Sequence, residues 1–307
     1  MKKVFFFIFI ISAQLNFAQK PQLFLPELFS GLPNVRDFSM NKAQDEFYFT
    51  VESYLKEYSF IAYSKKVNGI WQSPKTVSFS GQYKDLEPFL SPDGLKLFFA
   101  SNRKDNVSTE TKTDMDIWYV TRKSISSEWS EPINVGSNVN TSANEFYPSV
   151  TNNGDLFFTA EYENSLGKED IYVSRFVNGK YTKPSPLSSG VNSEKYEFNA
   201  FVAPDESFII FTSYGREDDM GRGDLYISKK GENNQWKKAK HLSKINTKRL
   251  DYCPFVDLNT QTLYFTSNPS EISKSLKHKM TFKKIVDYIN NTPNGLSRIY
   301  TYPFSKK

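Results

Sequence analysis

The segment DLEPFLSPDGLKLFFASNR (85–103), followed after a polar stretch by DMDIWYV (114–120), decides the fold. Its first apolar run stops at Pro92-Asp93-Gly94, a turn in which proline presets φ and Asp and Gly tolerate left-handed backbone. Leu95–Ala100 is too short and too aromatic for a helix and predicts the return strand of a hairpin. The second piece predicts a third strand, and Trp129–Val135, with its edge-compatible proline, predicts a fourth. The unit is therefore a four-stranded antiparallel meander.

The same pattern recurs along the whole chain. A phenylalanine in the second strand marks each copy: Phe49, Phe99, Phe158, Phe211 and Phe265. Their separations of 50, 59, 53 and 54 residues fit one propeller blade each. The last copy has three strands, and we expect Phe24–Phe29 to dock on Ile299–Phe304 and close the ring. The sequence predicts an all-β chain, a single five-bladed β-propeller of four-stranded antiparallel blades closed by an N-terminal strand, with six blades as the alternative.

The turn Ser91-Pro-Asp-Gly94, the aromatic strand ending in Ser101-Asn-Arg103, and the later Asp116-Ile-Trp118 resemble the WD-like propeller repeats of TolB-type proteins, especially secreted and envelope proteins of the Bacteroidetes. The likeness covers nearly the whole chain after its N-terminus. It implies a binding scaffold in the cell envelope, with an envelope protein or a cell-wall glycan as partner.

The N-terminus predicts export. Lys2 and Lys3 precede the apolar run Val4–Ile11, and Ala18 offers a small residue at the cleavage edge, so residues 1–18 are predicted to be a cleaved signal peptide. A retained anchor is the alternative, disfavoured because the run is too short for a stable span. The absence of a nearby cysteine argues against a lipoprotein. We therefore expect one propeller domain over 19–307 in the periplasm or outside the cell.

The net charge argues against nucleic acid as a partner, and the cysteine content excludes an internal disulfide. The formal net charge is +5, and +3 once Lys2 and Lys3 are removed, too small to predict nucleic-acid binding. Cys253 is the one cysteine, so no internal disulfide can form, and its position before Pro254 predicts a buried small residue rather than a reactive thiol. We predict a monomer without a transmembrane span, cofactor or metal.

An acid recurs in the segment that leads into each inner strand. The acids are Asp85, Glu145, Glu197 and Asp251, with Asp37 expected in the remaining copy. They could form a ring at the pore mouth that holds a cation or a basic peptide, or they could accept hydrogen bonds that fasten neighbouring blades. Repetition favours the second role.

A slot two residues further on varies between copies, as a ligand surface would: it holds Glu87, Tyr147, Asn199 and Cys253.

In a meander the connections alternate between faces. The long connections between second and third strands therefore share one face, termed the long-loop face, and the SPDG-type turns share the short-turn face. Because loops carry function, the candidate binding residues lie on the long-loop face. They are Asp85, Glu87, Glu145, Tyr147, Glu197, Asn199 and Asp251.

A second repeated acid opens the third strand. The acids are Asp116, Asp170 and Asp224, replaced by Arg298 in the last copy. Arg103 or Arg216 is predicted to pair with this acid inside its blade. The nearby run Glu217–Asp219 could bind calcium, but it lacks a ladder of ligands and is better interpreted as a solvated loop.

The last long connection differs from the others. Glu271–Asn291 carries apolar residues among lysines, and its period predicts a basic amphipathic helix over Thr281–Asn290. This helix is either a lid across the loop face or a docking element for a partner or an anionic envelope surface.

Catalytic signals are sparse. The two histidines, His241 and His278, give little material for zinc chemistry or a histidine-based triad. We therefore expect a non-catalytic binding scaffold. The alternative is a carboxylate-dependent glycoside hydrolase that uses acids of the repeated ring, although sialidase-type Asp boxes are missing from the sequence.

Overall fold

The computed structural model describes residues 20–104, 114–291 and 293–305. The signal peptide predicted at 1–18 and positions 105–113 of the second blade's long loop lie outside these ranges. The described chain enters through β1 (Gln22–Leu23) and then builds five antiparallel blades, each from an inner to an outer strand.

The first two blades follow the predicted meander. Blade 1 consists of β2 (Asn34–Met40), β3 (Glu46–Glu52), β4 (Ser59–Val67) and β6 (Lys75–Thr76), with β5 (Ile70–Trp71) paired to the end of β4. Blade 2 consists of β7 (Asp85–Leu90), β8 (Lys96–Ser101), β9 (Asp116–Thr121) and β10 (Ile133–Asn134).

The remaining blades repeat the arrangement. Blade 3 consists of β11 (Glu145–Val150), β12 (Leu156–Ala160), β13 (Asp170–Ser174) and β16 (Ser185–Pro186), beside the hairpin of β14 (Phe176–Val177) and β15 (Lys180–Tyr181). Blade 4 consists of β17 (Tyr196–Val202), β18 (Phe208–Tyr214), β19 (Asp224–Lys229) and β20 (Lys240–His241). Blade 5 consists of β21 (Asp251–Asp257), β22 (Thr262–Ser267), β23 (Arg298–Pro303) and β1, with helix α1 (Phe282–Asn291) inserted before β23. The five-bladed prediction is confirmed.

The SPDG turn shows why the local sequence forms a hairpin. The Ser91 hydroxyl donates to the Asp93 carboxylate at 2.6 Å, and the same carboxylate accepts the Leu95 N–H at 3.0 Å. Gly94 has φ +74, and a Cβ there would lie 2.8 Å from the Ile125 side chain. Glycine therefore satisfies both the backbone and the packing at this position.

An N-terminal strand closes the ring as predicted, but it is Gln22–Leu23, just before the predicted segment Phe24–Phe29. Leu23 pairs with Tyr300, and the Phe24 N–H donates to the Ile299 carbonyl at 2.9 Å. The ring of Phe24 packs against Phe38 and Tyr264, whose centroids lie 5.1 and 5.2 Å away. Inner strands β2 and β21 are in contact, so the first and last blades are neighbours.

The core lies between the blades and is strongly aromatic. Cys253 is buried, as predicted, and burial raises the pKa of its thiol well above the usual range. Among the described residues, no helix has the length and apolar character needed to cross a bilayer.

We expect Phe29→Ala to lower the free energy of unfolding by about 3–5 kcal/mol, because Phe29 is buried against Phe47 and Phe49 in the closing segment. Leu23→Ala, at an exposed position of the same segment, should cost less than about 1 kcal/mol. Urea denaturation measures both. Equal, small losses would contradict a closing role for this segment.

Candidate functional site

The four repeated acids open the inner strands but are not exposed to the pore. Asp85, Glu145, Glu197 and Asp251 are each fully buried. Each lies opposite the last residues of the second strand of its own blade, for example Asp85 beside Ser101 and Glu197 beside Ser213. They therefore lie between strands, at the long-loop end of each blade.

Neighbouring groups donate hydrogen bonds to these carboxylates, although Asp251 Oδ1 is buried without a partner. Asp85 accepts hydrogen bonds from Ser101 Oγ at 2.6 Å, Ser80 Oγ at 2.7 Å and the Arg103 guanidinium at 2.7 Å. The prediction that Arg103 pairs with the third-strand acid is wrong: Ser101 lies opposite both Asp85 and Asp116, and the Arg103 guanidinium pairs with the lead-in acid Asp85.

Blade 4 repeats this arrangement. Glu197 accepts hydrogen bonds from Ser213 Oγ at 2.9 Å and from Arg216 at 2.8 Å. The prediction for Arg216 is therefore wrong for the same reason. These contacts give the lead-in acids a fastening role, and a direct ligand contact by them stays a prediction.

The third-strand acids are held by other donors. Asp116 accepts from Asn134 at 3.1 Å, and Asp170 accepts from the Leu166 N–H at 2.6 Å. Asp224 accepts from His241 at 2.9 Å. In the last blade, Arg298 donates to backbone carbonyls of the closing segment, including Leu32 O at 3.1 Å.

The loop acids near blade 4 also form local bonds. Asp219 accepts the Arg216 N–H at 3.0 Å and the Tyr226 hydroxyl at 2.8 Å. In the described part of the chain, no group of three or more His, Cys, Asp and Glu side chains is placed to hold a metal ion.

Asp37 does not occupy the slot predicted for it. Val35 pairs with Val51 at the position equivalent to Asp85 and Ser101, so Val35 takes the acid's place in blade 1. Asp37 belongs instead to the variable slot with Glu87. The prediction failed because the eroded first copy lacks the repeat motif from which the position of the slot can be counted.

The variable slot is a β-bulge in every inner strand. Strand register shifts there in all five blades, and the bulged residue has a positive φ. The φ values are 59° at Asp37, 62° at Glu87, 48° at Tyr147, 50° at Asn199 and 53° at Cys253. A bulge turns its residue out of the pleat, and here the five side chains converge at the ring's centre.

The centre is filled by a buried polar cluster organised by Arg36. Its guanidinium donates to Asp37 at 2.7 Å, to Glu87 at 2.8 Å and to Glu52 at 3.3 Å. It also lies over the Tyr252 ring, with the guanidinium carbon 5.0 Å from the centroid. Sequence analysis missed Arg36, although it directly precedes an acid of the variable slot.

Further bonds tie the other blades to this cluster. Asn199 donates to Glu87 at 3.3 Å, and the Tyr147 hydroxyl donates to the Pro254 carbonyl at 3.1 Å. The structure thus brings Glu87, Tyr147 and Asn199 together in this buried cluster, termed the plug.

Burial controls the electrostatics of these acids. It raises the pKa of Glu87 to about 8, against the attraction of Arg36. It also raises the pKa of Glu145 to about 7 and that of Asp251 to about 6. Each carboxylate is expensive to ionise in the folded protein, which fits interior braces.

The long-loop face carries the exposed aromatic residues, which sequence analysis also missed. Among the described residues, the exposed aromatic side chains are Tyr54, Tyr58, Tyr196, Tyr214 and Phe282. All five lie at the long-loop ends of strands or in long-loop connections. Tyr196 and Tyr214 are paired across β17 and β18 with ring centroids 6.0 Å apart. Tyr196 directly precedes the lead-in acid Glu197, and this position was the signal in the sequence that could have indicated the pair.

Helix α1 begins and ends one residue later than predicted. None of its residues is fully buried, while Ile285, Val286 and Tyr288 are half-buried, and its role as a lid across the loop face or as a docking element stays a prediction. It borders a cavity of about 430 Å³, together with the closing segment and Tyr54.

With the geometry established, comparison with known proteins defines the class as a five-bladed β-propeller. No family model and no curated protein matches the sequence. The putative TolB from Agrobacterium tumefaciens aligns with a TM-score of 0.50 at 12% identity, covering 89% of this chain and 91% of that one. At this identity the likeness shows the fold alone.

Two further solved structures align at slightly lower scores. TolB from Acinetobacter baumannii aligns with a TM-score of 0.49 at 12% identity, and the match covers 88% of this chain but 54% of that one. The catalytic domain of Coprinopsis cinerea GH62 alpha-L-arabinofuranosidase aligns with a TM-score of 0.49 at 9% identity, covering 88% of this chain and 90% of that one.

We expect Glu87→Ala to lower the free energy of unfolding by about 1–3 kcal/mol, because it leaves the donors of Arg36, Asn199 and the Tyr147 N–H without their buried acceptor. Glu217→Ala, at an exposed loop acid, should have little effect. Urea denaturation measures both variants. A fully stable Glu87→Ala protein would show that the plug is not a structural brace.

The pH dependence of stability should expose Glu145. Its folded-state pKa of about 7 lies above the unfolded value of about 4.3, so folded Glu145 keeps a proton that the unfolded chain has released. Its stabilisation is therefore present below the unfolded pKa and is lost as pH rises through about 7.

Glu145→Gln carries no titrating carboxyl, so between pH 5 and 8 its stability should rise relative to wild type by up to about 3 kcal/mol. Urea denaturation across this range checks the slope, and Glu217→Gln should run parallel to wild type. Parallel slopes for Glu145→Gln and wild type would contradict the raised pKa.

Proposed function

We propose that this chain is a non-catalytic binding propeller of the TolB-like, WD-repeat kind, secreted or periplasmic, that holds an envelope protein on its long-loop face. The observation that carries the proposal is the placement of every exposed aromatic side chain in the described structure on that face. Tyrosine and other aromatic residues are enriched at protein interfaces because they bury a large area at a small cost in side-chain entropy.

The opposite face offers a contrast. Its exposed large apolar residues are aliphatic and scattered over hairpin tips: Val67, Ile70, Ile125 and Val177. Isolated exposed aliphatic residues are ordinary on protein surfaces. The two faces thus differ in kind, which supports recognition on the long-loop face.

The pair Tyr196 and Tyr214 is the best anchor on this face. The two rings lie side by side on adjacent strands, and both are exposed. They lie at the long-loop ends of β17 and β18. The neighbouring residues Glu197 and Ser213 are hydrogen-bonded to each other, and Glu197 also accepts from Arg216, which holds this end of the sheet in place. An anchor held by a rigid sheet loses little freedom on binding.

The glycoside hydrolase alternative depends on the same acids that the structure places inside the blades. Glycosidases need two carboxyl groups that reach a sugar in solvent, about 5–5.5 or 6.5–9.5 Å apart. Glu145 and Glu197 are fully buried, and Thr141, Tyr162 and Arg216 are among the donors to them. This arrangement favours a binding role over hydrolysis.

We expect immobilised wild-type protein to retain an envelope protein from an extract of the source organism, and Tyr196→Ala plus Tyr214→Ala to lower that retention at least tenfold, because hot-spot truncations cost about 2 kcal/mol or more. The matched control is Val67→Ala plus Ile70→Ala on the short-turn face, which should retain the partner like wild type. Quantitative mass spectrometry of the retained proteins gives the measurement.

Equal retention by the tyrosine variant and wild type would overturn the proposed face. Retention of cell-wall glycan fragments in place of a protein would assign the same face to a glycan. Hydrolysis of a polysaccharide panel that is lost in Glu145→Gln or Glu197→Gln would overturn the non-catalytic proposal.

A further inference from the structure

The insertion Glu271–Asn291 presents part of its apolar side to solvent, while Ile285, Val286 and Tyr288 are half-buried. In α1, Phe282, Val286 and Ile289 fall at i, i+4 and i+7 and so share one side of the helix. Phe282 is 84% exposed and Ile289 is 48% exposed. An amphipathic helix normally buries this stripe against its own core, so here the stripe is available to something outside the chain.

The same insertion is strongly basic. It contains five lysines, Lys274, Lys277, Lys279, Lys283 and Lys284, against the acids Glu271 and Asp287, which gives a net charge of +3. Lys283 pairs with Asp287 at 2.8 Å on the exposed polar side. The other four lysines lie before this pair or beside it on an exposed surface.

A neighbouring hairpin adds a second apolar tip. Tyr54 lines the same cavity as Asp287 and Asn290 of α1, so the connection between β3 and β4 lies beside the helix. Leu55, at the tip of this connection, is 82% exposed. The ammonium of Lys84 donates to the Lys56 carbonyl at 3.0 Å, which places a further positive charge at the hairpin.

We propose that this surface, termed the insertion patch (Tyr54, Leu55, Phe282 and Ile289 with the lysines of 274–284), docks on an anionic phospholipid bilayer. Interfacial helices combine a basic polar side with an exposed apolar stripe, and they place that stripe at the boundary between headgroups and acyl chains. Lysines near an anionic leaflet add about 1 kcal/mol each.

Charge selects the bilayer over a second copy of this chain. Two insertion patches brought together would place net-positive segments against each other, whereas an anionic bilayer supplies both a negative surface and an apolar layer. The inference goes beyond the proposed function, because it assigns a different ligand to blades 5 and 1. It does not involve the Tyr196 and Tyr214 pair on blade 4.

Vesicle co-sedimentation tests the proposal. Wild-type protein should bind phosphatidylcholine vesicles that contain phosphatidylglycerol, bind pure phosphatidylcholine more weakly, and lose affinity as salt rises. Phe282→Ala plus Ile289→Ala should weaken binding at least tenfold, because two apolar side chains no longer enter the interface. Lys277→Glu plus Lys279→Glu should also weaken it at least tenfold.

Two matched controls keep the comparison specific. Ile70→Ala removes an equally exposed apolar residue from the short-turn face, and Lys180→Glu reverses an exposed lysine on that face. Both should bind vesicles like wild type. All variants share the wild-type N-terminus, so any membrane affinity of residues 1–18 cancels, and circular dichroism confirms that each remains folded.

Several results would overturn the proposal. These are failure to bind anionic vesicles, equal binding to neutral and anionic vesicles, and unchanged binding by either insertion variant. A dimer in wild type that Phe282→Ala plus Ile289→Ala abolishes, without vesicle binding, would assign the patch to a second copy. Loss of a protein from envelope-extract retention in that variant, again without vesicle binding, would assign it to a protein groove.

Discussion

The structure depends on one repeated constraint, the bulge in each inner strand. At the bulge the backbone N–H points to the neighbouring blade, where a threonine follows the marker phenylalanine of the second strand. Glu87 N–H donates to Thr50 Oγ1 at 2.9 Å, and Asn199 N–H donates to Thr159 Oγ1 at 3.1 Å. The same bond closes the ring, since Asp37 N–H donates to Thr266 Oγ1 at 3.3 Å. A buried N–H must find an acceptor, so this bond fixes the spacing at these three of the five blade interfaces. Between blades 4 and 5 the equivalent hydroxyl, Thr212 Oγ1, is buried without a hydrogen-bond partner.

The second interface without this bond, between blades 2 and 3, accounts for the acid at Glu87. Ala100 stands where other blades have threonine, so it offers no hydroxyl to the next blade. The Glu87 carboxylate supplies the missing acceptor and takes the Tyr147 N–H at 2.7 Å. That places a carboxylate in the buried centre, and Arg36 then stabilises it. The variation in this slot was predicted to mark a ligand surface. It arises partly because each blade must supply a hydrogen-bond acceptor for the bulge N–H of the next blade.

Repetition made the fold predictable and also limited the prediction of the site. Blade number, strand order, ring closure at Leu23 and the burial of Cys253 all follow from local motifs that recur. The partners of Asp85 and Glu197 do not, because the two repeated acids of a blade lie opposite the same serine of the second strand, so strand register leaves both within reach of the arginine that follows and side-chain packing decides. Asp37 was misplaced for a similar reason, since the eroded first copy lacks the motif that sets the count. Exposure of Tyr196 and Phe282 depends on loop packing, which periodicity does not encode.

The bulge residues Glu87, Tyr147 and Asn199 are buried, whereas the exposed aromatic residues lie at the periphery of the long-loop face, and the two proposed surfaces divide that periphery. The insertion patch spans blades 5 and 1 beside the closing strand, while the Tyr196 and Tyr214 pair belongs to blade 4. A bilayer is flat and the patch lies to one side of the ring axis, so docking through α1 and the Leu55 hairpin would tilt the propeller. Tilting raises the far side of the long-loop face away from the lipid. A scaffold held in this way could present its tyrosine pair to a protein at the same membrane, and the rigid sheet beneath Glu197 would keep that pair at a fixed height.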